Sequence, residues 1–215
     1  MLPRDKIRTA LTRGASGEKR SAAKNAPALV AFITAGYPEP SEFLNVLRAV
    51  AGAADAVEIG VPFSDPMADG VTIQRSSQHA IEHGVSLTWI LDQLARRDFE
   101  LTSPVLLMSY LNPLLAFGLE KLAARAAEVG VSGVIVPDLP YEESAPLRAA
   151  LDSRGLALVQ LVTPATRTGL SWVRRSSKCS NEARTPRGSY ARCAVERMRS
   201  GTIHWSTILK LVVGR

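Results

Sequence analysis

Glu58 and Asp69 are the residues of this sequence whose types and spacing best suit chemistry. Glu58 lies in a short apolar run, residues 56–60, that predicts a buried strand, and Asp69 follows eleven positions later. Because side chains alternate along a strand, Glu58 faces the side opposite to Val57 and Ile59. A carboxyl buried there would have a raised pKa and could act as a general acid and base. The alternatives for Glu58 are half of a buried ion pair or a solvated position at a strand edge.

The loop that follows this strand decides where Asp69 lies. Pro62 and Pro66 stiffen the loop, which allows Asp69 to be folded back over the end of the strand. Taken alone, Asp69 before Gly70 is better interpreted as a turn former, and Asp65 as a turn or capping residue. Delivered together with Glu58 to one cavity, however, Asp69 completes a plausible acid–base pair.

Five apolar runs predict strands, and segments with helical periodicity alternate with them. The strands are expected at residues 29–33, 56–60, 105–108, 132–136 and 157–162. The helices are expected at residues 2–12, 40–52, 73–83, 87–97, 119–129 and 142–154. The strands do not alternate apolar with polar residues, which favours parallel strands covered by helices. Such a series forms either a doubly wound sheet or a barrel. No G-x-G-x-x-G turn follows the first strand, which weakens a dinucleotide-binding interpretation.

Other polar side chains follow the predicted strands. Asp138 could hold another side chain or cap a helix, and the sequence favours neither. Tyr110, with Asn112 after it, could line a pocket for an aromatic ligand or belong to the core. His79 and His83 are four residues apart on one helix, but no third ligand is apparent, so we expect no metal site.

The composition is that of a soluble globular protein. Of 215 residues, 46% are hydrophobic and 21% are charged. No apolar run approaches the roughly 18 residues that span a membrane, and no apolar segment behind the first residues suggests a secretion signal. We therefore expect a cytoplasmic protein without a membrane partner.

The net charge of +6 is unevenly distributed. Residues 1–170 carry 16 basic and 18 acidic residues, whereas residues 171–215 carry 10 basic and 2 acidic residues together with Cys179 and Cys193. The second segment could be a basic arm for nucleic acid or the product of a shifted reading frame. Its scattered arginines and lack of interleaved aromatics argue against nucleic acid. We expect a partial barrel domain over residues 1–170 and a basic tail of low order over residues 171–215.

Several motifs resemble the tryptophan synthase alpha chain family over roughly residues 27–170. They are residues 32–38 (FITAGYP), 58–70 (EIGVPFSDPMADG), 72–74 (TIQ), 108–113 (MSYLNP), 133–140 (GVIVPDLP) and 163–166 (TPAT). The resemblance implies an α/β protein with the (β/α)8 TIM-barrel fold. It implies a lyase of tryptophan biosynthesis that cleaves indole-3-glycerol phosphate to indole and glyceraldehyde 3-phosphate. It also implies no cofactor in this chain, and an alpha2-beta2 tetramer with a beta chain that binds pyridoxal phosphate.

The resemblance also implies roles for individual residues. Glu58 would move protons between indole C3 and the glycerol hydroxyl, and Asp69 would hold the indole N–H and stabilise the positive charge there. Asp138 would orient Glu58. The loop at residues 62–69 and the region of residues 112–113 would face the beta chain. The residues that would line the indole pocket are Phe32, Tyr110 and Ile135.

The family pattern stops after Leu170. The 45 residues that follow are fewer than the roughly 70–90 that three further strand–helix units need, and only residues 207–213 predict a late strand. We therefore expect an incomplete barrel with open edges at its first and fifth strands. The glycine-bearing turns that bind phosphate would be missing, so this chain would be weakly active, as a truncated or frame-shifted product. The alternative is a catalytically impaired homologue that keeps only the surface for the beta chain.

Overall fold

A computed structural model describes residues 1–16, 28–161 and 209–212, with side chains for residues 1–11 and 28–161. The strands are β1 (Leu29–Thr34), β2 (Ala56–Gly60), β3 (Val105–Met108), β4 (Val131–Ile135), β5 (Ala157–Val159) and β6 (Leu209–Val212). The helices are α1 (Pro3–Ser16), α2 (Phe43–Ala53), α3 (Val71–Glu82), α4 (Leu87–Arg96), α5 (Leu111–Phe117), α6 (Leu119–Glu128) and α7 (Ala145–Asp152). Single 3-10 turns at Pro40–Glu42 and Tyr141–Glu143 precede α2 and α7.

All paired strands are parallel, and their order in the sheet is β5-β4-β3-β2-β1-β6. Neighbours in sequence are neighbours in space from β1 to β5, and each crossover carries at least one helix. This arrangement confirms the predicted α/β fold, with five parallel strands in sequence order and helices between them. The five predicted strands are all present, although β5 ends at Val159, three residues before the predicted end.

The two faces of the sheet bury different side chains. Alternate residues such as Ile33, Val57 and Ile59 point outward and pack beneath α2–α7 in the larger hydrophobic cluster. The residues between them point to the concave interior, where a second cluster contains Val30 and Leu106. Burial on both sides explains why the strands lack a polar face, because neither side meets water.

Helix α1 closes the amino-terminal end of the sheet. Ile7 and Leu11 are buried in the interior cluster, and the Arg4 amide donates to the Gly155 carbonyl at 3.0 Å. Burial of each of these two side chains contributes about 1.5–3 kcal/mol. The predicted amphipathic helix is confirmed, and it extends to Ser16, beyond the predicted end at residue 12.

One helix was not predicted. Residues 111–117 form α5, although the sequence around Asn112 and Pro113 favours a loop. Pro113 occupies the third helical position, where a missing N–H costs no intrahelical hydrogen bond. Gly118, at φ 92°, then turns the chain sharply into α6, a conformation that favours glycine.

The expectation that the first strand has an open edge is wrong. β6, which confirms the late strand predicted at residues 207–213, pairs with β1 in parallel, with Leu29 opposite Leu209 and Phe32 opposite Val212. In the described part of the chain, β5 pairs with β4 alone. The rest of the basic segment, and its predicted low order, lie outside the described residues.

Among the helices in the described part of the chain, none combines the length and the apolar character that a membrane crossing requires.

Candidate active site

The carboxyl ends of β1–β4 meet at one rim of the sheet, and their loops carry the polar side chains predicted from sequence. Glu58, in the middle of β2, is 2% exposed and lies opposite Phe32 of β1 and Leu106 of β3. Its neighbours Val57 and Ile59 belong to the outward cluster. Glu58 therefore faces the concave interior, as its alternation with Val57 and Ile59 predicts.

The loop after β2 brings Asp69 back over the rim, where Tyr110 contacts it. The Tyr110 hydroxyl donates a hydrogen bond to Asp69 Oδ2 at 3.2 Å and accepts one from the Ala68 amide at 2.8 Å. The Tyr110 ring packs against Phe63, with the ring centroids 5.3 Å apart. The Tyr110 side chain, which follows β3, thus contacts three residues of the loop after β2.

Gln74, on the first turns of α3, holds the same loop from the other side. Its Nε2 donates to the Asp69 carbonyl at 2.8 Å and contacts the Pro66 carbonyl at 3.4 Å. The Asp69 amide donates to the Pro66 carbonyl at 3.1 Å, which closes a turn inside the loop. The backbone of Asp69 is therefore tied at both its N–H and its C=O.

The Tyr110 hydroxyl keeps its proton over a wider pH range than a free tyrosine. Burial is the main cause that raises the pKa of Tyr110, and the charges of Asp69 and Asp138 raise that pKa further. The hydrogen bond from the Ala68 amide opposes these effects by stabilising the phenolate. A neutral hydroxyl can donate to a carboxylate, as its contact with Asp69 requires.

Asp69, Phe32 and Tyr110 line one small cavity at the rim. The cavity encloses about 20 Å³, which is room for about one water molecule. Its other lining residues are Gly60, Val61, Ile73, Ser77, Met108, Ser109 and Pro137. Gly60 follows Glu58 by two positions on the same face of β2, so Glu58 lies one layer deeper on the same interior side.

Gly60 leaves room for the Phe32 ring beside strand β2. A Cβ added at Gly60 would lie 2.5 Å from Phe32 Cζ and 2.8 Å from Cε2. We expect Gly60→Ala to push the ring off its rotamer into the cavity, at a cost of about 0.5–1.5 kcal/mol. Urea denaturation of Gly60→Ala should show this loss in the free energy of unfolding, and an unchanged free energy of unfolding would contradict the placement of the ring.

Two predicted site residues lie beside this cavity. Ile135 belongs to the interior cluster with Leu106 and Val159, below the rim. Both carboxylate oxygens of Asp138 accept from the Leu111 amide, at 3.0 and 3.2 Å, and so cap the amino end of α5. Of the two interpretations open for Asp138, helix capping is the one for which the structure gives contacts.

His79 and His83 are held by backbone carbonyls. His79 Nε2 contacts the Pro38 carbonyl at 2.9 Å, and His83 Nδ1 contacts the His79 carbonyl at 2.8 Å. Within residues 1–11 and 28–161, no group of three or more His, Cys, Asp or Glu side chains is arranged to hold a metal ion.

Sequence reasoning missed Gly60, Ser77 and Gln74. Gly60 could have been found, since strand alternation places it on the same face as Glu58. Ser77 and Gln74 carry no local signal in the sequence. Ser77 lines the cavity only because α3 packs against the rim, and Gln74 contacts Asp69 only because the preceding loop folds back.

Comparison with known proteins identifies the family. The family model for the tryptophan synthase alpha chain matches residues 19–178. The alpha chain of Nitratidesulfovibrio vulgaris (strain DP4) is 48% identical over 152 residues, which are 70% of this chain and 59% of that protein. The chain therefore spans about 60% of the length of the relative.

Solved structures agree with the sequence comparison. The alpha subunit of tryptophan synthase from Legionella pneumophila superposes with a TM-score of 0.66 and 33% identity, covering 78% of this chain and 61% of that one. The tryptophan synthase complex from Pyrococcus furiosus gives a TM-score of 0.60 and 36% identity, covering 65% and 58%. The sheet described above is therefore part of the TIM barrel that these subunits share. Parallel topology and sequence agree, and the chain belongs to the tryptophan synthase alpha chain family.

Proposed function

We propose that this chain is a lyase that cleaves indole-3-glycerol phosphate to indole and glyceraldehyde 3-phosphate. The observation that carries the proposal is Glu58, a carboxyl 2% exposed on the interior face of β2, directly below a rim cavity that Asp69 lines. A carboxyl at the edge of a substrate pocket can deliver a proton in its neutral form and accept one in its charged form.

Glu58 performs both proton transfers of the retro-aldol step. Its neutral carboxyl protonates indole C3, which leaves the ring as an iminium ion. The resulting carboxylate then takes the proton from the hydroxyl of the side-chain carbon bonded to C3. The electrons of that O–H bond form the aldehyde, the carbon–carbon bond breaks, and its electron pair restores the indole ring. General acid–base help of this kind accelerates a reaction about 10²–10⁴-fold.

Asp69 stabilises the charge that develops during this step. A carboxylate that accepts a hydrogen bond from the indole N–H gains attraction as the ring becomes positive, which lowers the barrier. Phe32 and Tyr110 provide the apolar walls beside it, and Ile135 lies below them. In this role the cavity must widen, because about 20 Å³ is much smaller than an indole ring.

We also propose that the rim docks a tryptophan synthase beta chain. Met67 in the loop after β2 and Val71 at the start of α3 are 95% and 62% exposed, and Leu115 of α5 is 53% exposed. Large apolar side chains exposed together at a functional rim are typical of a protein interface. One relative solved in a complex is described as the mutually activating a2b2 complex of Pyrococcus furiosus. Pyridoxal phosphate would then belong to the beta chain, and this chain would need no cofactor.

We further propose that this chain binds the phosphate of the substrate more weakly than its relatives do. The match to the family model covers residues 19–178, so residues 179–215, most of the basic segment, lie outside it. Binding energy from a remote phosphate normally contributes to positioning the reacting carbon. Its loss would raise the KM for indole-3-glycerol phosphate while leaving Glu58 and Asp69 in place.

The test is indole release by the purified full chain, with and without a tryptophan synthase beta chain. We expect indole at saturating substrate, a KM above that of a full-length alpha chain assayed in parallel, and faster release when the beta chain is present. If no indole is released at any substrate concentration while the beta chain is bound, this chain is a docking protein without lyase activity.

A further inference from the structure

The Tyr110 hydroxyl makes contacts that the wall of an aromatic pocket does not need. It bridges the loop after β2 and the loop after β3, with the Ala68 amide as its donor and Asp69 Oδ2 as its acceptor. Tyr110 is 7% exposed, so few water molecules compete for these bonds. A phenylalanine would provide the same ring against Phe63 but neither hydrogen bond.

From these contacts we infer that Tyr110 is a positioning residue that orients the Asp69 carboxylate for the substrate N–H. The inference rests on the proposed function, because it assigns Asp69 its orientation within that same site. The hydroxyl holds Oδ2, and its contact with the Ala68 amide holds the backbone one residue earlier, so Tyr110 anchors both the Asp69 side chain and the chain leading to it. Gln74 fixes the Asp69 carbonyl independently, so the backbone and the side chain of Asp69 are contacted by different residues.

Tyr110 is itself held from the next loop along the sheet. Asp138, after β4, accepts twice from the amide of Leu111, the residue that follows Tyr110. The backbone of Tyr110 therefore cannot shift without breaking the amino-terminal cap of α5. Three successive strand ends are linked in this way, from Asp138 through Leu111 and Tyr110 to Asp69.

The protonation state of Tyr110 suits this role. Its burial and its proximity to Asp69 and Asp138 raise the pKa of the hydroxyl, so it remains a donor at neutral pH. Since the two groups share one hydrogen bond, the Tyr110 proton also stabilises the charged form of the Asp69 carboxyl. A carboxylate, rather than a carboxylic acid, is the form that accepts the indole N–H and offsets its positive charge.

A double-mutant cycle tests the inference. Tyr110→Phe should lower kcat/KM for indole release about tenfold, the effect of losing one hydrogen bond to a charged group. In the Asp69→Asn background, Tyr110→Phe should have little further effect, because Tyr110 acts through the carboxylate. A tyrosine that merely lines the pocket would tolerate Tyr110→Phe with kcat/KM unchanged, because phenylalanine keeps the ring. A hydroxyl that acts independently of Asp69 would give losses that multiply in the double mutant. Either result would overturn the inference.

A second measurement does not depend on catalysis. In protein labelled with ¹³Cζ-tyrosine, the pKa of Tyr110 followed by NMR should fall in the Asp69→Asn variant, because a raising charge is removed. Tyr141→Phe is the matched control, since the Tyr141 hydroxyl contacts Arg148 on the surface, and it should change neither readout. An unchanged Tyr110 pKa would refute the contact with Asp69. If the unmodified chain releases no indole, the proposed function is refuted. The pKa of Tyr110 in the Asp69→Asn variant then still decides whether Tyr110 contacts the Asp69 carboxylate.

Discussion

Replacing Glu58 by glutamine should lower the rate of indole release about 10²–10⁴-fold. Glutamine has nearly the same shape as glutamic acid but can neither donate a proton to indole C3 nor remove one from the glycerol hydroxyl. Its amide fits a site that is 2% exposed without placing a charge there, so the fold should survive. The measurement is the steady-state rate of indole formation at saturating substrate, with the beta chain present.

Glu82→Gln supplies the matched control for this variant. Glu82 is exposed at the end of α3 and accepts a hydrogen bond from Gln78, away from the rim cavity. The control should release indole at the unmodified rate. If Glu58→Gln also stayed within a fewfold of that rate, the acid–base role of Glu58 would be excluded.

The second large effect concerns the interior of the sheet, at Gly133. A Cβ added there would lie 2.7 Å from the Ala157 carbonyl oxygen, 2.9 Å from Ala157 Cβ and 3.2 Å from Ile7 Cδ1. The two nearest atoms belong to Ala157 of the paired strand β5 and cannot easily move aside, whereas the end of the Ile7 side chain can give way. We expect Gly133→Ala to lower the free energy of unfolding by about 1–3 kcal/mol.

Gly52→Ala tests whether this loss is due to crowding. Gly52 lies in α2, and a Cβ there would meet nothing within 4 Å. Alanine should therefore raise stability, by up to about 0.5–1 kcal/mol, because it is the better helix former. Urea denaturation of both variants gives the comparison. Equal losses in the two would show that crowding at Gly133 is not the cause.

The sequence predicts the strands and most of the helices well, because the spacing of apolar residues follows directly from which side chains are buried. Every strand from β1 to β5 appears as an apolar run, and the inward direction of Glu58 follows from Val57 and Ile59 on either side. Helix boundaries are less accurate, since capping geometry rather than apolar spacing decides them. α5 was missed because Pro113 usually indicates a break, whereas at the third position of a helix it is tolerated.

The contacts that organise the site could not be read from spacing. Tyr110 and Asp69 are 41 residues apart, and only the packing of adjacent strand ends brings the hydroxyl to the carboxylate. Asp138 and Leu111 are 27 residues apart and meet for the same reason. A sequence pattern identifies which side chains stand at strand ends, but each hydrogen-bond partner belongs to a neighbouring unit.

The pairing of β6 with β1 has a consequence for the order in which the molecule folds. Val30 meets Ala56 across 26 positions of chain, whereas Leu29 meets Leu209 across about 180. Ring closure over the longer segment costs about 1.7 kcal/mol more in chain entropy. We therefore expect β1 and β2 to associate early and β6 to join last, so its amides should gain protection latest in pulse-labelled refolding. Until then the flank of β1 is exposed to other chains, so the risk of aggregation at this flank belongs to the interval before β6 arrives.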